Sequence, residues 1–173
     1  MVRASASEPA EGDLRILFVC LGNICRSPMA EAATRAALIE AGLDDRVELD
    51  SAGIGDWHVG NAPDRRMGAA AREVGIELVG AARQVLTHEL DGWDLILAMD
   101  RGNYRALRAM ARDDEVRARI RLFRDFDPFD GDEVPDPYYG DADGFAEVVR
   151  ICRAAARGLV AELAGQLQSQ TAG

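Results

Sequence analysis

Lysine is absent: all 20 basic residues of this 173-residue chain are arginine. That excludes a lysine Schiff base and any lysine amine acting as base or nucleophile. Cysteine is scarce. Cys20, Cys25 and Cys152 are too few and too scattered to staple a fold with disulfides. No C-x-x-C pair or His cluster marks a zinc site, so no metal and no cofactor is expected. Histidine is scarcer still. Neither His58 nor His88 sits in a recognisable triad setting, and both read as solvent-facing or structural. No run of eighteen apolar residues occurs, so no membrane span is expected. The first dozen residues lack the apolar core of a signal peptide, which predicts a cytoplasmic protein, export without such a signal aside. Positive charge is in deficit. With 30 acidic residues the net charge is −10, which argues against a general nucleic-acid binder. It does not argue against one local anion site.

What is present is the composition of an ordinary globular protein, 48% apolar and 29% charged. Residues 1–13 read as a disordered N-terminal tail, 14–165 as one domain, and 166–173 as a frayed C-terminus. Between the tails, strand and helix signals alternate. Leu14 to Cys20 is a nearly continuous apolar run, as a parallel strand covered on both faces requires. Ser27-Pro28 reads as N-cap and first helical position of an Ala-rich helix to about Glu40, ended by Gly42. Val47 to Leu49, Trp93 to Ala98 and Ile120 to Leu122 read as further strands; Asp64 to Val74 and Arg101 to Met110 read as helices. The segment from Phe123 to Tyr139, with three prolines and many aspartates, reads as a long loop. A final helix carries an apolar stripe from Phe145 to Leu163 that includes Cys152, which makes that cysteine a small buried hydrophobe. Alternation of this kind implies an α/β fold, a parallel sheet with helices on both faces. Ligands then bind beyond the carboxyl ends of the strands.

That position is occupied by Cys20-Leu21-Gly22-Asn23-Ile24-Cys25-Arg26-Ser27. A Cys followed six positions later by Arg is weak alone, since chance supplies ~0.35 such pairs in this composition. The setting strengthens it. A strand ends at the Cys, Gly and Asn permit a tight turn, and a helix starts after the Arg. The backbone N–H groups of Leu21 to Arg26 can converge as an anion nest, and the helix N-terminus adds partial positive charge at the same point. Arg26 can grip two phosphate oxygens through its planar fork. Cations and helix N-termini favour thiolate over thiol. The loop therefore places a nucleophile beneath a phosphate. A thiolate attacking phosphorus gives a phospho-cysteine, and the leaving oxygen then needs a general acid. The carboxylates of the long loop are the candidates: Asp125, Asp127, Asp130, Asp132, Glu133 and Asp136. Chemistry alone does not choose among them, although Pro135 and Pro137 stiffen the backbone at Asp136. Tyr138 and Tyr139 follow it and could wall an aromatic pocket.

These pieces are similar to a known family. Val19 to Glu31, Ser51 to Gly60, Ala82-Arg83-Gln84, Ala98-Met99-Asp100 and Asp136-Pro137-Tyr138-Tyr139-Gly140 together resemble the low-molecular-weight protein tyrosine phosphatases, in family order, from about residue 14 to 165. The resemblance implies a three-layer sandwich around a four-stranded parallel sheet of order 2-1-3-4. It implies Cys20 as nucleophile, Arg26 as phosphate ligand, and Asp136 as acid and then base. Asn23 would take a left-handed backbone conformation, which Asn tolerates better than most residues. Ser27 would donate a hydrogen bond to the thiolate. Trp57, Tyr138 and Tyr139 would line a crevice deep enough to select tyrosine-phosphorylated proteins, releasing inorganic phosphate. Cys25 would form a reversible disulfide with Cys20 under oxidation. One position departs from the family pattern: Gly80 stands where a His is usual. Support for Asn23 must then come from Ser51, Glu31 or water.

Three other readings share the fold or the loop. A thioredoxin-linked arsenate reductase would need relay cysteines, and none lies between Cys25 and Cys152. A protein-arginine phosphatase resembles the same loop with Thr in place of Ile24. A non-catalytic phosphopeptide-binding module could dispense with Cys20 or Asp136, and both are present.

Overall fold

The computed structural model describes residues 13–127, 129 and 131–171. Four strands and five helices alternate: β1 (Leu14–Cys20), α1 (Arg26–Ala41), β2 (Val47–Gly53), α2 (Arg65–Glu73), β3 (Leu95–Ala98), α3 (Arg101–Met110), α4 (Asp114–Arg117), β4 (Ile120–Leu122) and α5 (Ala142–Thr171). Single 3₁₀ turns cover Thr87–Gly92 and Phe123–Phe126. The strands pair in parallel in the order β2-β1-β3-β4. This is the expected α/β sandwich and sheet order.

The layers follow from the period of two along β1. Ile16, Phe18 and Cys20 face one core with Met29, Met67, Phe145 and Cys152 from α1, α2 and α5. Leu17 and Val19 face the other, with Leu90, Leu107 and Val116 from the first 3₁₀ turn, α3 and α4. Residues 16–19 are fully buried, so each apolar side chain contributes roughly 1.5–3 kcal/mol of transfer free energy. β1 is thus pinned from both sides, and its last residue is Cys20.

Several boundaries move. Helix α1 starts at Arg26, one residue before the expected cap, and Cys25 at the cap position makes no side-chain capping bond. Ser27 is withheld from capping because its hydroxyl faces the sulfur of Cys20. Gly42 ends α1 in the left-handed conformation, as read. β2 continues beyond Leu49 to Gly53, and β3 begins at Leu95 rather than Trp93. Asp64 caps α2, its carboxylate accepting from the backbone N–H of Arg66. The expected long loop opens with the second 3₁₀ turn.

The tails differ from expectation in one place. Residues 1–12 of the anticipated N-terminal tail lie outside the described residues, as does Asp130. Asp13 accepts a hydrogen bond from Arg46 at 3.3 Å. The frayed C-terminus expected for 166–173 is instead helical as far as Thr171. Leu167 extends the stripe one turn beyond Leu163 and both are buried, so the helix has apolar surface to anchor there.

Two glycines of α5 should behave oppositely. A Cβ at Gly158 would overlap the carbonyl oxygen of Phe126, whereas one at Gly165 meets nothing within 4 Å. Gly158→Ala should therefore lose about 1–3 kcal/mol or more by overpacking against backbone. Gly165→Ala should gain about 0.5–1 kcal/mol from helix propensity. Denaturant melts of the two variants beside the parent would expose any failure of this contrast.

Candidate active site

The loop from Cys20 to Arg26 leaves the carboxyl end of β1 and enters α1, as expected. Cys20 is buried at its root. The backbone N–H of Asn23 points back at the sulfur from 3.2 Å, and the Ser27 hydroxyl lies 3.0 Å from it. The Asn23 side-chain amide donates to that hydroxyl oxygen at 2.8 Å. The Ser27 hydroxyl can donate either to the sulfur at 3.0 Å or to the Ala52 carbonyl at 3.5 Å.

Asn23 carries the turn. Its φ is 58°, and among the described residues it is the single non-glycine with positive φ. Its amide nitrogen donates to Ser27 and, at 3.0 Å, to the Ser51 hydroxyl; its amide oxygen accepts from the Arg83 backbone N–H at 3.0 Å. Of the supports considered for the Gly80 departure, Ser51 is in place. Glu31 bonds Arg35 instead. Behind the loop, a Cβ at Gly53 would come 2.9 Å from the Leu21 carbonyl oxygen and 3.0 Å from the Gly22 carbonyl carbon, so the end of β2 must be glycine for the loop to sit this close.

Arg26 is 3% exposed yet charged. It donates to Asp100 at 2.6 Å and to the Val134 carbonyl at 3.2 Å, with Asp136 at 3.6 Å from its other terminal nitrogen. Burial disfavours the charge, but Cys20, Asp100 and Asp136 outweigh it and hold the guanidinium above its ordinary pKa. Asp100 escaped the sequence reading as a site residue. It does double duty, since its other oxygen caps α3 through the Asn103 N–H at 2.7 Å. An Asp two residues after the strand beside β1 was the available signal.

A cleft of about 360 Å³ opens above the loop. Its floor is Cys20, Ile24 and Arg26, and Asp136, Trp57, Tyr138 and Tyr139 stand around it, so the expected residues do come together. Asp136 accepts the Tyr138 backbone N–H at 3.1 Å, which ties the carboxylate to the aromatic wall. Arg66 lies over the Tyr138 ring at 5.5 Å. His58 corrects an expectation: it is a cleft residue, its ring 6.0 Å from that of Tyr138 and packed against Gly22. Only the missing side chain at Gly22 makes room for it, which no spacing rule reveals.

The other two cysteines are chemically quiet. Burial pushes the Cys25 thiol up to about 12, helped by the negative charges of Asp64, Cys20 and Asp136. Cys152 is fully buried in the α5 core, and desolvation raises its pKa as well. While Cys20 is reduced, both are neutral thiols near neutral pH and react slowly with alkylating agents from solution. Iodoacetamide at pH 8 should accordingly modify Cys20 alone in the folded protein, with Cys25 and Cys152 reacting after unfolding. Peptide mass spectrometry reads this, and labelling of Cys25 at the rate of Cys20 would contradict it.

The comparisons with known proteins fall on the same fold and loop. Residues 15–169 match the family described as low molecular weight phosphotyrosine protein phosphatase. A low molecular weight protein-tyrosine-phosphatase of Streptomyces coelicolor is 47% identical over 161 residues, covering 91% of this chain and 98% of that protein. The corresponding Bacillus subtilis protein YfkJ is 42% identical over 156 residues, 90% of this chain and 99% of its own. The crystal structure of a protein tyrosine phosphatase from Entamoeba histolytica superposes with a TM-score of 0.86 at 35% identity, over 89% of this chain and 99% of that one. In the described residues no helix is long and apolar enough to cross a membrane. The chain belongs to the low-molecular-weight phosphotyrosine protein phosphatase family, and it is a phosphotyrosine phosphatase.

Proposed function

We propose that this phosphatase hydrolyses phosphotyrosine in proteins, and aryl phosphates, through a phospho-cysteine on Cys20. The observation that carries the reading is the arrangement round one sulfur. Cys20 is held by the Asn23 N–H and the Ser27 hydroxyl at the floor of a cleft that also receives Arg26 and Asp136.

The Cys20 thiolate attacks phosphorus as the bond to the tyrosyl oxygen breaks. Asp136, entering as the acid, gives its proton to the departing phenolate. Arg26 and the loop N–H groups from Leu21 to Arg26 take the charge that develops on the equatorial oxygens. In the second half, the Asp136 carboxylate removes a proton from water as water attacks the thiophosphate. Inorganic phosphate leaves and the thiolate returns, with the Ser27 hydroxyl proton stabilising it as leaving group. Nucleophile, cation and proton carrier all come from the chain itself.

Substrate class follows from the walls. Trp57 and Tyr139 are exposed and Tyr138 half-buried, which makes an aromatic slot above a sulfur at the bottom of a well. A phenolic phosphate reaches that sulfur, whereas a seryl phosphate is shorter by a ring. Ile24, at the floor, has no polar group to engage a guanidinium, which disfavours phosphoarginine.

Two outcomes are expected. Hydrolysis of p-nitrophenyl phosphate should persist in EDTA, fall by about 10³ or more in Cys20→Ser, and fall by roughly 10²–10⁴ in Asp136→Asn, the range for loss of general acid–base catalysis. Full activity in Cys20→Ser would sink the mechanism. Under peroxide, Cys20 is oxidised to the sulfenic acid, which removes the Cys20 negative charge that helps keep Cys25 protonated; the Cys25 thiol of the same loop then displaces water from it to form a disulfide that dithiothreitol reopens. Cys25→Ala should lose that recovery and accumulate sulfinic acid. Equal recovery of parent and variant would remove Cys25 from this role.

A further inference from the structure

Asn23 is held by a stretch of backbone that is itself held by charge. Residues 82–85 form no strand beyond one isolated bridge between Gln84 and Gly53, yet they tie the frame of the site together. Ala82 donates to the Asn61 carbonyl and accepts from the Gly60 N–H, both at 2.8 Å, fixing the loop that carries Trp57 and His58. The Arg83 carbonyl and the Val85 N–H each pair with Gly53 at 2.8 Å. The Arg83 N–H reaches Asn23.

The Arg83 side chain anchors this stretch. Its two terminal nitrogens donate to the two oxygens of Glu89 at 2.8 and 2.7 Å, and Nε donates to Asp50 at 3.2 Å. Glu89 is saturated, since it also accepts the Leu86 N–H at 2.8 Å and the Trp93 indole N–H at 3.1 Å. Asp50 joins the second support of Asn23 to the same clamp, because its other oxygen accepts the Ser51 N–H at 2.8 Å. Two of the three groups that hold Asn23 therefore lead back to Arg83. Burial works against charge on both Arg83 and Glu89, but each holds the other ionised, Arg83 above and Glu89 below its ordinary range.

We propose that the Arg83–Glu89 ion pair is a positioning device for the phosphate loop: it sets the Arg83 N–H that holds Asn23, and through Asn23 the two hydrogen bonds that hold Cys20. Gly80 offers no side chain for that work, and its φ of 95° is one that side chains rarely adopt. A neutral amide at position 89 would keep the shape but turn N–H donors toward a guanidinium, so Arg83 and its backbone would shift. Displacements of about 1 Å at a reacting group cost up to ~10² in rate. The inference rests on Cys20 being the nucleophile.

The test compares Glu89→Gln with the parent, with Cys20→Ser, and with Asp113→Ala, which removes the cap of α4 far from the site. Two readouts are taken well below each melting temperature. One is kcat on p-nitrophenyl phosphate. The other is the ratio of Cys20 alkylation rates by iodoacetate and iodoacetamide, which reports the anion nest independently of overall stability. Glu89→Gln should lower kcat about tenfold and lower the ratio by about fivefold, as a sub-ångström shift of the nest would. Asp113→Ala should lose melting temperature and leave both within about twofold. If Glu89→Gln does not fold, Glu89→Asp, whose shorter carboxylate cannot satisfy all four donors, is read the same way. Parent-like kcat and ratio in the Glu89 variant overturn the positioning role while an inactive Cys20→Ser leaves the nucleophile standing. An active Cys20→Ser overturns both.

Discussion

The left-handed turn at Asn23 is the constraint from which the rest of the site follows. It turns the Asn23 N–H back onto the Cys20 sulfur, and it is the local conformation the proposed anion nest requires. A left-handed residue costs about 1–2 kcal/mol, less for Asn, whose short amide can bond locally. Three neighbours offset this, Ser27, Ser51 and Arg83, each hydrogen bond contributing about 0.5–1.5 kcal/mol. Any two of them offset the cost, so the third adds firmness to the turn rather than its existence. The same three partners leave the Asn23 backbone N–H no freedom but to face the sulfur.

The sheet supplies what those partners stand on. β1 is buried on both faces, so Cys20 inherits the rigidity of the best-packed strand. β2 lies close enough to back the loop because it ends in Gly53, and β3 delivers Asp100 to Arg26. That last pair is a poor source of stability, since taking both charges out of water costs about as much as their attraction returns. Its value is directional. A buried guanidinium with one face tied to Asp100 and Val134 presents the other to the cleft without searching rotamers. Breaking the pair would strand a buried charge, which is why the aim of Arg26 and the stability of α3, capped by the same Asp100, are coupled.

Local features were legible in the chain and distant ones were not. The β1 run, the Gly42 stop and the Cys20–Arg26 loop are read over a few residues, by period and turn chemistry, and they stand as read. Asp136, Tyr138 and Tyr139 were found by resemblance more than by derivation, because six carboxylates of one loop look alike until the backbone orients one of them. Asp100, Arg83 and Glu89 act across 74, 60 and 6 positions respectively, and no periodicity reports which arginine a given acid meets. His58 was misjudged for a related reason: its place in the cleft depends on the absence of a side chain at Gly22. The C-terminal turn was undervalued because Gly165, Gln166 and Gln168 look like fraying, while Leu167 is buried against the core and the Ser169 hydroxyl donates to the Gly165 carbonyl.

Charge divides by scale in the same way. A chain of net charge −10 would seem hostile to phosphate. At the cleft floor the sum is irrelevant, because fields from exposed groups are screened within about 8 Å at physiological salt. Many of the acids are in any case paired with arginines on the surface, as Asp64 is with Arg66 and Glu115 with Arg119. In the proposed mechanism the phosphoryl group is held by Arg26 and the loop amides at short range, where charges are far less screened than across the surface. The global sign acts earlier, on approach. A net charge of −10 disfavours the approach of acidic proteins at low salt, so the global charge bears on encounter rather than on the site itself.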